Sequence, residues 1–118
     1  MAEKSFNQED IKTIENYLKG YRLNRKLLRL ERYEREYFHP DTEDYESLGE
    51  IPLARARMFE VRHFIMELEN CDEKLFLYYH YIKGESVERC SELLGISRSS
   101  GFRMKKRALA LACAKRFE

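Results

Sequence analysis

Seven basic residues and no acidic one fall between Arg98 and Arg116: Arg98, Arg103, Lys105, Lys106, Arg107, Lys115 and Arg116. Three serines, Ser97, Ser99 and Ser100, open the same stretch. Cations and hydroxyls at this density are suited to polyanions. Guanidinium forks match the acceptor edge of guanine, while hydroxyls and ammonium groups suit phosphate oxygens. Whether they act together depends on spacing. In a helix, Ser99, Phe102, Arg103, Lys106 and Ala110 share one side, and Gly101, Met104, Ala108 and Leu111 share the other. The first set is expected to face a nucleic-acid groove and the second to face the protein.

Covalent and metal chemistry has no such concentration of groups. Cys71, Cys90 and Cys113 are an odd number at wide spacing, neither a CxxC pair nor a disulfide framework. His39, His63 and His80 are scattered without partners at ligand spacing, so no metal is expected. Phosphate-binding glycine loops, nucleophile elbows and carboxylate constellations are all missing from the sequence. The expectation is a protein that is not an enzyme and needs no cofactor. The formal net charge of +1 over 118 residues conceals a strong asymmetry. Asp41, Glu43, Asp44, Glu46 and Glu50 lie between His39 and Ala54 with no cation among them, and local charge decides what a surface attracts. The N-terminus MAEKSFNQED is polar where a secretory signal is basic and then apolar. No apolar run nears the roughly 20 residues that span a bilayer. A cytoplasmic protein without membrane contact is expected, with reduced cysteines.

The basic helix needs elements that aim it. Ser97 is read as its N-cap, Gly95 as a turn residue with positive φ, and Ile96 as the plug between two helices. A short helix capped by Ser86 runs to about Leu94. It buries Val87, Cys90 and Leu94 and offers the small Ser91 where its neighbour approaches. Cys90 is thereby a small core hydrophobe. Two helices joined this way form a helix-turn-helix, here at about 86–109, whose second helix projects into the major groove.

Upstream, Asp72 is expected to cap a helix running to about Lys83, with Leu75, Tyr78, Tyr79 and Ile82 on one side and Gly84 ending it. Its tyrosines are read as core packing rather than as a base-stacking platform. Ala54, Met58, Val61, Ile65 and Leu68 alternate steps of four and three, which suits either a core-facing stripe or a dimer seam. Asn7 is the expected N-cap of the first helix, whose stripe Ile11, Ile14, Leu18 and Tyr21 is followed by Leu23, Leu27, Leu30, Tyr33 and Tyr37 one face over. Gly20, between the stripes, marks a kink, a break or a weak point. Lys19, Arg22, Arg25, Lys26, Arg29, Arg32 and Arg35 form a basic face there. Arg22 and Arg29 are its candidate phosphate contacts, joined by Ser86, Ser97 and Lys105 from the C-terminal part. The fold class is all-α, since no segment has the period of a strand. It divides into a long or kinked helix at 1–38 for oligomerisation or partner contact, an acidic linker at 39–52 and a helical module at 53–118.

The stretch ERCSELLGIS, Glu88 to Ser97, resembles the helix-turn-helix of sigma-70 region 4. The fuller pattern resembles the ArpU and RinA families, phage and prophage regulators of Gram-positive bacteria. IKTIENYLKGYRLNRKLLRLE (Ile11 to Glu31) stands where those proteins have an N-terminal helix, and LFLYYHYIKGES (Leu75 to Ser86) where a tyrosine-rich helix leads into the module. The resemblance implies a sequence-specific transcription regulator that binds double-stranded DNA and activates late phage genes through RNA polymerase, at the nucleoid of a bacterial host. Arg98, Ser99, Ser100, Phe102, Arg103, Lys106 and Arg107 are its expected DNA-binding residues. A homodimer is expected, because two half-sites multiply the affinity of one short module. In one departure, Gly101 stands where sigma-like modules place a branched apolar residue. Glycine there costs about 1 kcal/mol of helix stability, so either Phe102 and Met104 compensate or the helix sits at a shifted angle. Two other readings share the pattern. One is a DNA-packaging protein like a terminase small subunit, recognisable as a ring; the other is a polymerase-binding factor that does not contact DNA.

Overall fold

In the computed structural model, which describes residues 6–38 and 50–116, all regular structure is helical. The Asp10 amide donates to Asn7 Oδ1 at 2.7 Å, so Asn7 is the cap expected of it. From there α1 (Gln8–Phe38) runs for 31 residues without a break. Of the alternatives at Gly20, the break is not there: Asn24, buried, donates its side-chain amide to the Gly20 carbonyl one turn back at 2.7 Å. A single glycine weakens a helix by only about 1 kcal/mol, which the burial of Ile14 and Leu18 on the preceding turns outweighs.

The acidic stretch 39–49 lies outside the described residues. After it, α2 (Glu50–Met66) begins two residues earlier than the expected linker end, with Pro52 inside its first turn, where a missing N–H costs no hydrogen bond. Ala54, Val61, Ile65 and Leu68 are buried and Met58 half-buried. The stripe packs along α1 of the same chain, so of the two expectations it is the core-facing one.

Next, α3 (Cys71–Leu77) starts one residue before the expected cap. Asn70 occupies the N-cap position without a side-chain bond, and Asp72 and Glu73 sit in the first turn, where carboxylates oppose the helix dipole. It continues as a π turn, Tyr78–Ile82, rather than as α-helix to Lys83. The wider i→i+5 turn rotates the following side chains. Phe76, Leu77, Tyr81 and Ile82 are buried, while Leu75, Tyr78 and Tyr79 stay half-buried. Gly84 closes the segment at φ 76°. The last two helices are α4 (Val87–Leu94) and α5 (Arg98–Arg116).

One core joins Ile14 and Leu18 of α1, Val61, Phe64, Ile65 and Leu68 of α2, Leu77, Tyr81 and Ile82, and Ala108, Leu109, Ala112 and Cys113 of α5. A smaller one joins Phe76, Val87, Cys90 and Met104, with Ile96 packed against it. The first helix is therefore not a separate arm. Its N-terminal half is core; its C-terminal half, beyond about Tyr21, has α2 as its main neighbour and lengthens the molecule to 59 × 32 × 23 Å.

A polar joint fastens α1 to both later segments. The Tyr81 hydroxyl donates to the Glu15 carboxylate, which pairs with Lys105 at 3.3 Å. Burial pushes the Glu15 carboxyl up, but the Tyr81 hydroxyl and the Lys105 ammonium outweigh it and hold the group below the usual carboxylate range. A carboxylate depressed by folding stabilises the protein above its ordinary pKa, and that stability is lost as pH falls through the folded value. Glu15→Ala leaves the buried Tyr81 hydroxyl without its acceptor, so a loss of about 1–3 kcal/mol at neutral pH is expected. The variant should also lose less stability than the wild type on acidification. Thermal melts from neutral to acid pH check both, and melts parallel to the wild type at every pH would exclude the role.

Candidate nucleic-acid interface

The geometry between α4 and α5 begins with two caps and a turn. The Arg89 amide donates to Ser86 Oγ at 3.1 Å, which starts α4. Gly95 ends it in the left-handed region at φ 68°, and the Ile96 amide returns to the Ser91 carbonyl at 2.9 Å. The Ser100 amide donates to Ser97 Oγ at 3.2 Å, which starts α5. Ser86, Gly95, Ile96 and Ser97 thus do what their positions in the sequence suggested.

Gly101 receives an explanation that its sequence position did not supply. It is buried against α4, and a Cβ built on it would lie 1.8 Å from Ser91 Oγ and 3.1 Å from Ser91 Cβ. Ser91 is itself buried, its hydroxyl donating to the Val87 carbonyl at 2.8 Å. Glycine and serine let the two backbones approach where a branched residue would hold them apart. Phe102 does not fill the gap, being 44 % exposed; Met104 is buried. Further along, burial on α5 passes to Leu109, Ala112 and Cys113, while Leu111, expected inside, is half-buried. The cause is α1, which covers this end of α5.

Ser99, Phe102, Arg103 and Lys106 are all exposed on the opposite side. Arg103 donates to Ser100 Oγ at 3.0 Å, and that hydroxyl accepts from Ser97 Oγ at 2.9 Å, so the guanidinium is tethered to the helix start. Among the described residues Arg103 and Lys106 enter no ion pair. Arg98 is exposed but engaged, pairing with Glu88 at 3.1 Å with its guanidinium 5.8 Å from the Phe102 ring centre. Arg107 pairs with Glu73 of α3 at 3.0 Å, at the flank of the face rather than its middle. Lys105, about 60° round the helix from Phe102, points to Glu15 of α1 and not to the middle of this side. Ser86, Ser97 and Ser100 already use their hydroxyls as caps or tethers.

The basic face of α1 adjoins this region. The Arg22 guanidinium lies so close over Gly84 that a Cβ there would meet it at 2.2 Å. Lys19, Arg22 and Lys26 line a groove of about 470 Å³ with His80, Gly84 and Ser86. Arg29 lies in a second groove, of about 520 Å³, where Arg25, Arg32 and Arg35 meet Arg55 of α2, and Glu36 pairs with Arg32 at 3.0 Å. Sequence reading missed Arg55. The available signal was its place directly after the buried Ala54, which puts it beside α1.

The cysteines and His80 have quiet surroundings. Burial, then the Glu85 carboxylate, pushes the Cys90 thiol up to about 11, which suits an inert core residue. Burial lowers the His80 pKa, with Nδ1 2.7 Å from the Glu85 carbonyl. Among the described residues, no helix is long and apolar enough to cross a membrane. Compared with protein-family models, with curated proteins and with solved structures, the chain matches none.

Proposed function

We propose that this chain is a sequence-specific DNA-binding transcription regulator of the phage late-gene type. In this reading α4 and α5 act as a sigma-region-4-like helix-turn-helix, α5 lies in the major groove, and activation proceeds through RNA polymerase. The observation that carries the reading is the exposed side of α5: Ser99, Arg103 and Lys106 face water on a helix with no acidic residue, while Gly101, Met104 and Ala108 bury its other side. Arg103 and Arg98 are the candidates for guanine edges; Lys106 and Ser99 suit phosphates. The Lys19–Arg22–Lys26 groove beside Ser86 adds backbone contacts, worth affinity but no sequence preference.

Recovery of bound fragments from sheared host or phage DNA tests the reading. Fragments enriched for late-gene promoters are expected. Packaging sites would favour the terminase-like alternative, and no enrichment over bulk DNA would sink DNA recognition. Salt titration tests the α1 contribution. Each phosphate contact contributes about 0.9 to the slope of log affinity against log salt, so Arg22→Ala with Arg29→Ala should reduce it by about 1–2. An unchanged slope would remove α1 from the interface. A thermal melt of the same variant separates this from loosening at Gly84, where Arg22 also packs.

A further inference from the structure

The second stripe of α1 is uncovered. Leu23, Leu27, Leu30, Tyr33 and Tyr37, with Phe38 beside them, are 38–69 % exposed. Ile14, Leu18, Asn24 and Leu28 mark the side of α1 turned to the core and α2; at 100° per residue the stripe is centred about half a turn away from them. Partly exposed side chains of this size each present on the order of 100–150 Å², about 600–900 Å² for the six. That exceeds the largest apolar patch of an ordinary monomer, about 300–600 Å². It equals one partner's share, about 800 Å², of a standard protein interface.

We infer that this stripe is the seam of an antiparallel homodimer, α1 against α1 of a second copy, about a two-fold axis passing near Leu30. The proposal goes beyond DNA binding and does not require it. Two features select a second copy in this direction. Leu23, Leu27 and Leu30 alternate steps of four and three, and the next steps reach Glu34 and Tyr37, the spacing of a two-helix seam. A parallel pair in register would set Glu34, a seam position, against its own copy. The antiparallel pair instead brings Glu34 level with Lys26 of the second copy, four residues either side of Leu30, and Leu23 level with Tyr37, seven residues either side.

The arrangement also fixes a distance. The core attaches to α1 around Leu18, 12 residues from Leu30, so at 1.5 Å per residue the two attachment points are ~36 Å apart.

Sedimentation of the free chain at micromolar concentration tests the proposal without any DNA, so its failure and the failure of the DNA reading are separate results. The wild type is expected as a dimer. Leu30→Asp, at an exposed position, is expected as a monomer with an unchanged far-UV spectrum. In a Cys71→Ser background, an oxidised mixture of Leu23→Cys and Tyr37→Cys chains should form the mixed disulfide, and neither should cross-link alone. A monomeric wild type, a ring of many copies, a Leu30→Asp chain that stays dimeric, or self-cross-linking of Leu23→Cys each overturns it.

Discussion

Gly101→Val is expected to be the most damaging single substitution on the α4–α5 face, costing about 3 kcal/mol or more. Helix propensity alone predicts the opposite sign, because valine is favoured over glycine by a few tenths of a kcal/mol in a helix interior. Contact overrides it. The first added carbon meets Ser91 Oγ at 1.8 Å and Val87 Cγ1 at 3.4 Å, before the two methyl groups are counted. Overpacking a dense site costs about 1–3 kcal/mol, and moving Ser91 leaves its buried hydroxyl without the Val87 carbonyl, a penalty of about 1–3 kcal/mol that deleting the hydroxyl does not carry.

The mechanism is separable by a double-mutant cycle. Gly101→Ala alone is expected to cost about 1 kcal/mol, the clash outweighing its gain in propensity. Ser91→Ala should be nearly neutral, since a serine hydroxyl bonded back to its own helix contributes little net stability. Combined, the two should be at least as stable as the wild type, because the oxygen in the way is gone and the remaining contacts need only a few tenths of an ångström. A coupling of about 1–2 kcal/mol from urea or thermal melts is the expected result. Additive effects would mean that the α4–α5 approach is not what requires glycine.

Arg103→Ala should weaken binding to a recovered DNA site by about 1–3 kcal/mol, roughly ten- to hundred-fold, and relax preference at the contacted base pair. Its guanidinium is central on the exposed side of α5 and enters no ion pair among the described residues, while Ser100 limits its wandering. Ser100→Ala should act in the same direction but less strongly, through looser positioning. Titration of recovered and scrambled duplexes distinguishes the possibilities. A loss confined to the recovered duplex marks a base contact, and an equal loss on both marks a phosphate contact. Promoter activation left intact when Arg98, Arg103 and Lys106 are all replaced by alanine would leave a polymerase-binding factor as the better account.

The legible parts of the fold were those set by local chemistry. Asn7, Ser86 and Ser97 are caps because a short side-chain oxygen can reach an amide two or three residues on, and Gly95 is a turn because the left-handed region suits glycine. The sides of α5 followed from a period of 3.6 residues. The placement of Lys105 was not legible, because the carboxylate that claims it is 90 positions earlier in the chain. Nor was the π turn at Tyr78–Ile82, nor the burial of Tyr81 rather than Tyr78 or Tyr79, which depends on α1 and α5 packing over this segment.

By itself, then, the sequence of this protein determined its helices, most of their ends and the concentration of cations on its last one, since these depend on residues within a turn or two of each other. Tertiary structure decided what each side chain faces. Gly101 is needed because Ser91 lies against it, Arg22 rests on Gly84 because α1 crosses that loop, and one apolar stripe of α1 is core while the next meets water. Those outcomes depend on distances between residues far apart in the chain, which no local pattern encodes.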